Sequence, residues 1–171
     1  LEIGYNGVTD GNETLTIKPA ANSIFDAHGN VADVSQSNNI HKLIEKTPPK
    51  IIASTISADN VTVTITFSED VFNQIGGSGN LEKEDFTLSL QGGTARLKNT
   101  VPTVLTKNGK IYTLTISYNG AANGTETLTI TPVANSIFDG AGNIASTVQS
   151  NNQLALNEVR ILQVTNPPVK Y

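Results

Sequence analysis

Acidic side chains are the residues of this chain whose types and spacing best suit chemistry. Glu69 and Asp70 directly follow a strongly apolar segment, and Asp139 opens the turn-like sequence Asp-Gly-Ala-Gly-Asn. A hard cation such as Ca²⁺ takes about six to eight oxygen ligands from carboxylates, carbonyls and water. If the fold brings these three carboxylates to one end of the molecule, they are candidate calcium ligands. Calcium is therefore the one cofactor that the sequence suggests.

Asp139 has a second interpretation, which is structural. Gly142 can adopt a left-handed backbone conformation, and the Asp139 carboxylate can then accept hydrogen bonds from nearby backbone donors and stabilise the turn. The chain also lacks the dense Asp spacing of an EF-hand or of Asp/Gly-rich nonapeptide repeats. The sequence leaves both interpretations of Asp139 open.

Other residue types give no catalytic pattern. Glu82, Glu84 and Asp85 are close in sequence, but acid/base work by paired carboxylates needs an enclosed pocket, and their polar surroundings predict a solvated loop. A serine nucleophile needs a positioned base, and neither histidine, His28 or His41, lies beyond residue 47. We therefore predict that the protein is not an enzyme.

Composition and charge narrow the classes of partner. The chain contains no Cys, so it has no disulfide framework and no thiolate ligand. Its net charge is -4, and its few Lys and Arg residues are dispersed, which argues against a nucleic-acid partner. No apolar run approaches the ~20 residues that span a bilayer, so we expect no direct membrane insertion. A cysteine-free chain rich in Thr and Asn is compatible with secretion, and we predict an extracellular or cell-surface location.

An internal repeat determines the predicted domain organisation. Residues 1–45 recur at 114–158 without a gap, and 27 of the 45 positions are identical. Self-similarity at a fixed period is typical of tandem arrays. We predict about one and a half modules: 1–46 as the C-terminal part of one module, 47–158 as a complete module, and 159–171 as a linker and the start of a further module or donor strand.

The elements that must position these residues are predicted to be short strands. In the segment 60–67, Val61, Val63, Ile65 and Phe67 alternate with polar residues, the period expected of a strand with one buried face. Gly92-Gly93, Asn108-Gly109 and Asn123-Gly124 are turn sequences. The pattern predicts an all-β antiparallel sandwich with strands at 50–57, 60–67, 86–90, 95–98, 103–106, 112–118, 126–131 and 144–148.

Several of these segments also carry a family likeness. They read TPPKI, VTVTITFSEDVF, YTLTI, ETLTI and SIFDGAGNIA. Together they resemble the bacterial Ig-like repeats of S-layer proteins, cyanobacterial motility-related surface proteins and giant adhesins. The resemblance covers 47–158 and recurs in the N-terminal copy. It implies an Ig-like sandwich used as a spacer, stalk or adhesive unit, with no catalytic residues to carry over.

Two functions are the resulting hypotheses. The first is an extracellular structural repeat module of a surface filament, sheath, S-layer or stalk, whose partners are neighbouring copies or repeats of the same protein. The alternative is an adhesin module that binds a cell-surface glycan or protein through the loops Gly76–Asn80 and Asn119–Gly124. Residues 1–46 hold too few strands for a core of their own, so we expect them to be completed either by the continuing chain or by a strand from another subunit.

Overall fold

The computed structural model describes residues 3–159, and all regular structure in that range is β except for one 3-10 turn at Lys83–Asp85. Contacts between Cα atoms divide the chain into two compact units. We call Leu1–Thr47 the N-terminal unit and the residues from Pro48 onward the C-terminal unit. Most of the predicted linker and further module, 160–171, lies outside the described residues. Within 3–159, no helix is long and apolar enough to cross a membrane.

Every strand pair is antiparallel, as predicted. In the N-terminal unit, β1 pairs with β2. In the C-terminal unit, one sheet has the order β3-β4-β8-β7, a second has the order β11-β10-β5, and β6 pairs with β9. The bounds are β1 Thr14–Thr16, β2 Ile40–Lys42, β3 Ile51–Ile56, β4 Thr62–Phe67, β5 Phe86–Gln91, β6 Arg96–Leu97, β7 Val104–Asn108, β8 Ile111–Thr115, β9 Tyr118–Asn119, β10 Thr127–Pro132 and β11 Gln153–Ala155.

Alternation along the strands builds a single apolar core in the C-terminal unit. Inward-facing residues of β4 and β8 meet those of β5 and β10, which gives two sheets facing one another in a sandwich-like arrangement. The ring of Phe67 contacts Tyr112 edge-on, with 5.7 Å between the ring centroids. The largest fully buried apolar side chains are Tyr112, Phe67, Phe86, Ile51, Ile65, Leu88, Leu114, Ile116, Leu128, Ile130 and Ile137.

Three sequence-based expectations about the strands are wrong. The predicted strand 112–118 is not continuous, because β8 ends at Thr115 and Tyr118 belongs to β9, which pairs with β6 in a separate sheet. The predicted last strand, 144–148, is not a strand: Ile144 forms one isolated bridge, and the chain then turns because the Val148 N–H and the Gln149 amide donate back to Ser146. The strand that pairs with β10 is β11, whose Gln-Leu-Ala sequence is too short to show a period. Val61 precedes β4 and is exposed, so the buried face of that strand begins at Val63.

The two copies of the repeated sequence have the same local pairing. In β1 and β2, Leu15 faces His41; in β10 and β11, Leu128 faces Leu154, and each pair of positions differs by the repeat offset. The bridge Phe25↔Val31 likewise recurs as Phe138↔Ile144. The copies differ in the strands beside them: β10 pairs with β5 on its second edge, whereas β1 belongs to a two-stranded sheet within the described residues.

Candidate functional site

The three candidate calcium ligands lie in different environments. Asp139 is fully buried, Glu69 is half-buried and Asp70 is exposed. Carboxylate oxygens of Glu69 and Asp139 lie within 4.8 Å of one another. Over residues 3–159, no group of three potential metal ligands includes Asp70. The fold thus brings together two of the three residues, and calcium binding stays a prediction.

The Asp139 carboxylate stabilises its own turn. One oxygen accepts the backbone N–H of Asn143 at 2.8 Å, and the other accepts the Asn143 side-chain amide at 2.8 Å. The N-terminal copy has the same pair, because Asp26 accepts the backbone N–H and the side-chain amide of Asn30. Hydrogen bonds from the side chain and backbone of Asn30 hold the pKa of Asp26 below its usual value. These contacts are the ones that the structural interpretation of Asp139 predicts.

Sequence reasoning missed the most heavily bonded carboxylate, that of Glu126. Its side chain is only 1% exposed and accepts backbone N–H groups from two separate segments. Thr94 and Ala95, which lie after β5, donate to Oε1 at 2.7 and 3.0 Å. Asn123 and Gly124, in the turn before β10, donate at 3.1 Å to Oε2. Glu126 therefore joins the end of β5 to the turn that begins β10.

The pKa of Glu126 reflects these backbone hydrogen bonds. Burial by itself raises the pKa of a carboxyl group, because it disfavours the charged form. Here the N–H donors of Ala95, Asn123 and Thr94 outweigh burial and lower the pKa of Glu126 to about 2. The group is therefore charged at neutral pH and is stabilised by backbone dipoles.

Glycine at position 93 makes room for this carboxylate. A Cβ on Gly93 would lie 2.0 Å from Glu126 Oε1, and the residue has a φ of +51°. Both the close approach and the left-handed backbone disfavour larger side chains. We predicted the Gly92-Gly93 sequence only as a turn. In the structure, the absence of a side chain at Gly93 also leaves the space that the buried carboxylate occupies.

The N-terminal unit contains half of the same arrangement. Glu13, the repeat counterpart of Glu126, accepts the backbone N–H groups of Asp10 and Gly11. These residues match Asn123 and Gly124. Within the described residues, Glu13 has no counterparts of the Thr94 and Ala95 donors, and its side chain is exposed.

Apolar side chains of the N-terminal unit are exposed where their counterparts form the core. Ile17 is 40% exposed and Ile24 is 53% exposed, whereas Ile130 and Ile137, at the matching positions, are fully buried. Phe25 is also exposed. Within the described residues, the N-terminal unit therefore differs from the C-terminal unit in leaving core-equivalent apolar side chains exposed.

One of the two predicted binding loops lines a cleft. The cleft has a volume of about 400 Å³ and is lined by Asp59, Asn60, Tyr118, Gly120, Ala121, Ala122 and Val159. Burial raises the pKa of Tyr118 to about 12, and its hydroxyl has no hydrogen-bond partner among the described residues. The other predicted loop, Gly76–Asn80, is mostly exposed and lines none of the main clefts found in residues 3–159.

No family model, curated protein or solved structure matches this chain.

Glu126→Gln tests the buried carboxylate. The substitution removes charge-assisted hydrogen bonds, so we expect the free energy of unfolding of the C-terminal unit at pH 7 to fall by about 2 kcal/mol. Because the folded-state pKa is lowered, the wild-type contribution is complete above about pH 4.5 and is lost as the pH falls toward 2. Urea unfolding at several pH values should show the two proteins converging at low pH.

Glu13→Gln is the matched control for this experiment, because the same residue type occupies the same turn but is exposed. We expect it to leave the main unfolding transition unchanged. A pH-independent difference between Glu126→Gln and the wild type would contradict the assignment.

The two interpretations of Asp139 predict different thermal unfolding results. If the carboxylate acts through its turn, Asp139→Ala should cost about 1–3 kcal/mol, since it removes two hydrogen bonds donated by the half-buried Asn143, and millimolar Ca²⁺ should not change Tm. If calcium binds, Ca²⁺ should raise the Tm of the wild type but not that of Glu69→Gln. Asp26→Ala is the control, because it removes the same turn contacts at an exposed position.

Proposed function

We propose that this protein is a structural repeat module of an extracellular array, such as a surface filament, sheath, S-layer or stalk. One observation carries the proposal: both copies of the repeated sequence have the same strand register, the same Asp–Asn turn and the same Glu–turn contact. Such duplication of a whole local structure supports a tandem architecture, in which each unit contacts its neighbours.

The sandwich-like C-terminal unit supports an Ig-like module as the repeated element. Its two main sheets share one core, and the segment from Ile51 to Leu156 closes around that core without a disulfide. The sequence resemblance to bacterial Ig-like repeats points the same way. The stability of such a module rests on the packing of its core. Its surface is then available for contacts with neighbouring modules, as a structural role requires.

An extracellular location and self-association with further repeats are parts of the same proposal. The Pro48-Pro49 pair begins the C-terminal unit, directly after the boundary at Thr47, and paired prolines favour a stiff extended linker. A stiff linker limits the relative motion of neighbouring modules, which suits a component that projects or connects.

The alternative function, a ligand-binding adhesin module, is favoured by the cleft beside Tyr118. The predicted loop Asn119–Gly124 contributes to its wall, and Tyr118, whose hydroxyl oxygen is buried, lines it with an aromatic side chain of a kind that packs against sugars. In this hypothesis the ligand is a cell-surface glycan or protein.

Concatemers test the structural role. In proteins carrying two, three and four copies of residues 46–158 in series, we expect the maximum dimension from small-angle X-ray scattering to grow by an equal step of about 40 Å per copy. The physical reason is that stiff linkers hold successive modules in a row.

The control for the concatemers replaces both linker prolines with glycine at every junction. In that series the dimension should grow more slowly than linearly, as it does for a flexible chain. Sub-linear growth in the unmodified series would contradict the structural role.

A glycan array with the intact chain tests the adhesin alternative. A positive signal that Tyr118→Ala reduces at least about tenfold, in a chain whose circular dichroism stays that of a folded protein, would favour it, because this change removes the aromatic side chain that lines the cleft. A silent array, or a signal unaffected by Tyr118→Ala, would contradict a glycan site at this cleft.

A further inference from the structure

We propose that the outer edge of β7 is a self-association surface, where β7 pairs antiparallel with β7 of a second copy of this chain in a register centred on Thr106. The inference rests on the proposed structural role and adds the strand, the register and the partner. Three features of the C-terminal unit carry it: the outward backbone groups of β7, the closed opposite edge of the same sheet, and the position of the one charged side chain in β7.

Two residues of β7 direct their backbone groups away from the sheet. The carbonyl of Lys110, just before β8, accepts the N–H of Phe67 in β4, so the even-numbered residues of β8 face β4. The odd-numbered residues of β8 therefore bond to β7, where the register makes the even-numbered residues, including Thr106, their partners. The N–H and C=O groups of Leu105 and Lys107 point outward and have no hydrogen-bond partner among the described residues.

The opposite edge of the same sheet, β3, is closed by side chains. The N–H of Ile51 donates to Gln149 Oε1 at 2.8 Å, and the Ile51 carbonyl accepts the side-chain amide of Asn151 at 3.3 Å. In the second sheet, the outward N–H of Leu88 on β5 donates to the carbonyl of Thr100 at 2.7 Å. Over residues 48–159, the edge of β7 has no comparable cover. Uncovered edge groups of this kind are a template for a further strand.

The charged residue of β7 does not block this edge. A lysine on an edge strand commonly prevents pairing with another chain. Here the Nζ of Lys107 lies 5.6 Å from the ring centroid of Phe72 and 5.7 Å from that of Tyr112. The attraction between a cation and two aromatic faces holds the ammonium group against its own module. Leu105, on the same side of the strand, packs against the core.

A register centred on Thr106 suits two copies of the same strand. Leu105 of each copy then faces Lys107 of the other, and the two residues exchange N–H to C=O hydrogen bonds. Thr106 faces Thr106 of the partner, which is a favourable cross-strand pair, and no like charges face one another directly. Because the contact has two-fold symmetry, the same edge serves both copies. The partner is therefore a second copy of the chain.

This surface suits lateral contacts between neighbouring arrays. Pairing two strands of 5 residues buries much less than the ~1,200 Å² of a stable interface, so a single pairing is weak. A polypeptide with several such modules presents the same edge several times, and simultaneous pairings strengthen one another. Isolated chains should consequently pair weakly, and longer arrays should pair more tightly.

Cysteine crosslinking of the intact 171-residue chain tests the register, because the chain has no cysteine of its own. With oxidised glutathione as the oxidant, Thr106→Cys should form a disulfide-linked dimer at least about tenfold faster than Val104→Cys or Asn108→Cys. Directly opposed Cα atoms lie about 4.5–5.5 Å apart, within reach of a disulfide, whereas the other two symmetric pairs would be separated by about 13 Å. Mixing Val104→Cys with Asn108→Cys should restore fast crosslinking, because these two positions face each other.

Sedimentation velocity of the intact chain tests the partner. The wild type should show a weak, concentration-dependent dimer at concentrations up to about 1 mM. Thr106→Lys should weaken the dimer at least about tenfold, because it places two positive charges opposite one another. Thr55→Lys is the matched control, since Thr55 is exposed in the same cross-strand row but lies on β3, and it should change the dimer less than about twofold.

Three results, with variants that circular dichroism shows to be folded, would overturn the proposal. They are a monomer over the whole concentration range without preferential crosslinking at position 106, equal crosslinking rates for the three single-cysteine variants, and equal effects of Thr106→Lys and Thr55→Lys. The concatemer series measures the alignment of modules within one chain, whereas these experiments measure pairing between chains. Failure of the structural role and failure of strand pairing are therefore distinguishable.

Discussion

The buried carboxylate of Glu126 is the interaction on which the arrangement of the C-terminal unit depends. It accepts backbone donors from the segment after β5 and from the turn before β10, two segments about thirty residues apart in the chain. Burying a charge is costly unless hydrogen bonds satisfy it, and here those bonds come entirely from backbone N–H groups. The register of β5 against β10 and the glycine at position 93 both suit this requirement.

The same requirement is only half met in the N-terminal unit over the residues that the structure describes. Its Glu13 has the turn donors that lie on its own side of the contact, and its apolar residues Ile17 and Ile24 occupy positions that a complete module buries. In the C-terminal unit, a side chain at position 93 would collide with the Glu126 carboxylate, and one at position 92 would collide with the backbone oxygen of Thr125, so both glycines suit the close approach of these segments.

Much of the fold is predictable from local patterns, and the failures have physical causes. The alternation in β4 and the Asn108-Gly109 turn predict the hairpins correctly, since a period of two and a positive φ are local properties. The segment 144–148 has a strand-like composition, but hydrogen bonds to Ser146 turn it away from the sheet. The role of Glu126 was missed because an acidic residue beside a turn is usually solvated, and nothing local shows that a distant segment covers it.

The sequence by itself determined the all-β class and the repeat with its offset, and it gave the turn formed by Asp139 as one of two interpretations, because each depends on residues close together in the chain or on direct comparison of two segments. Only the tertiary structure decided which carboxylates are buried, that Glu69 approaches Asp139 while Asp70 stays exposed, and which apolar side chains of the first copy lack a cover. These outcomes depend on contacts between segments far apart in sequence. Their energies come from excluding water, which no single segment achieves alone.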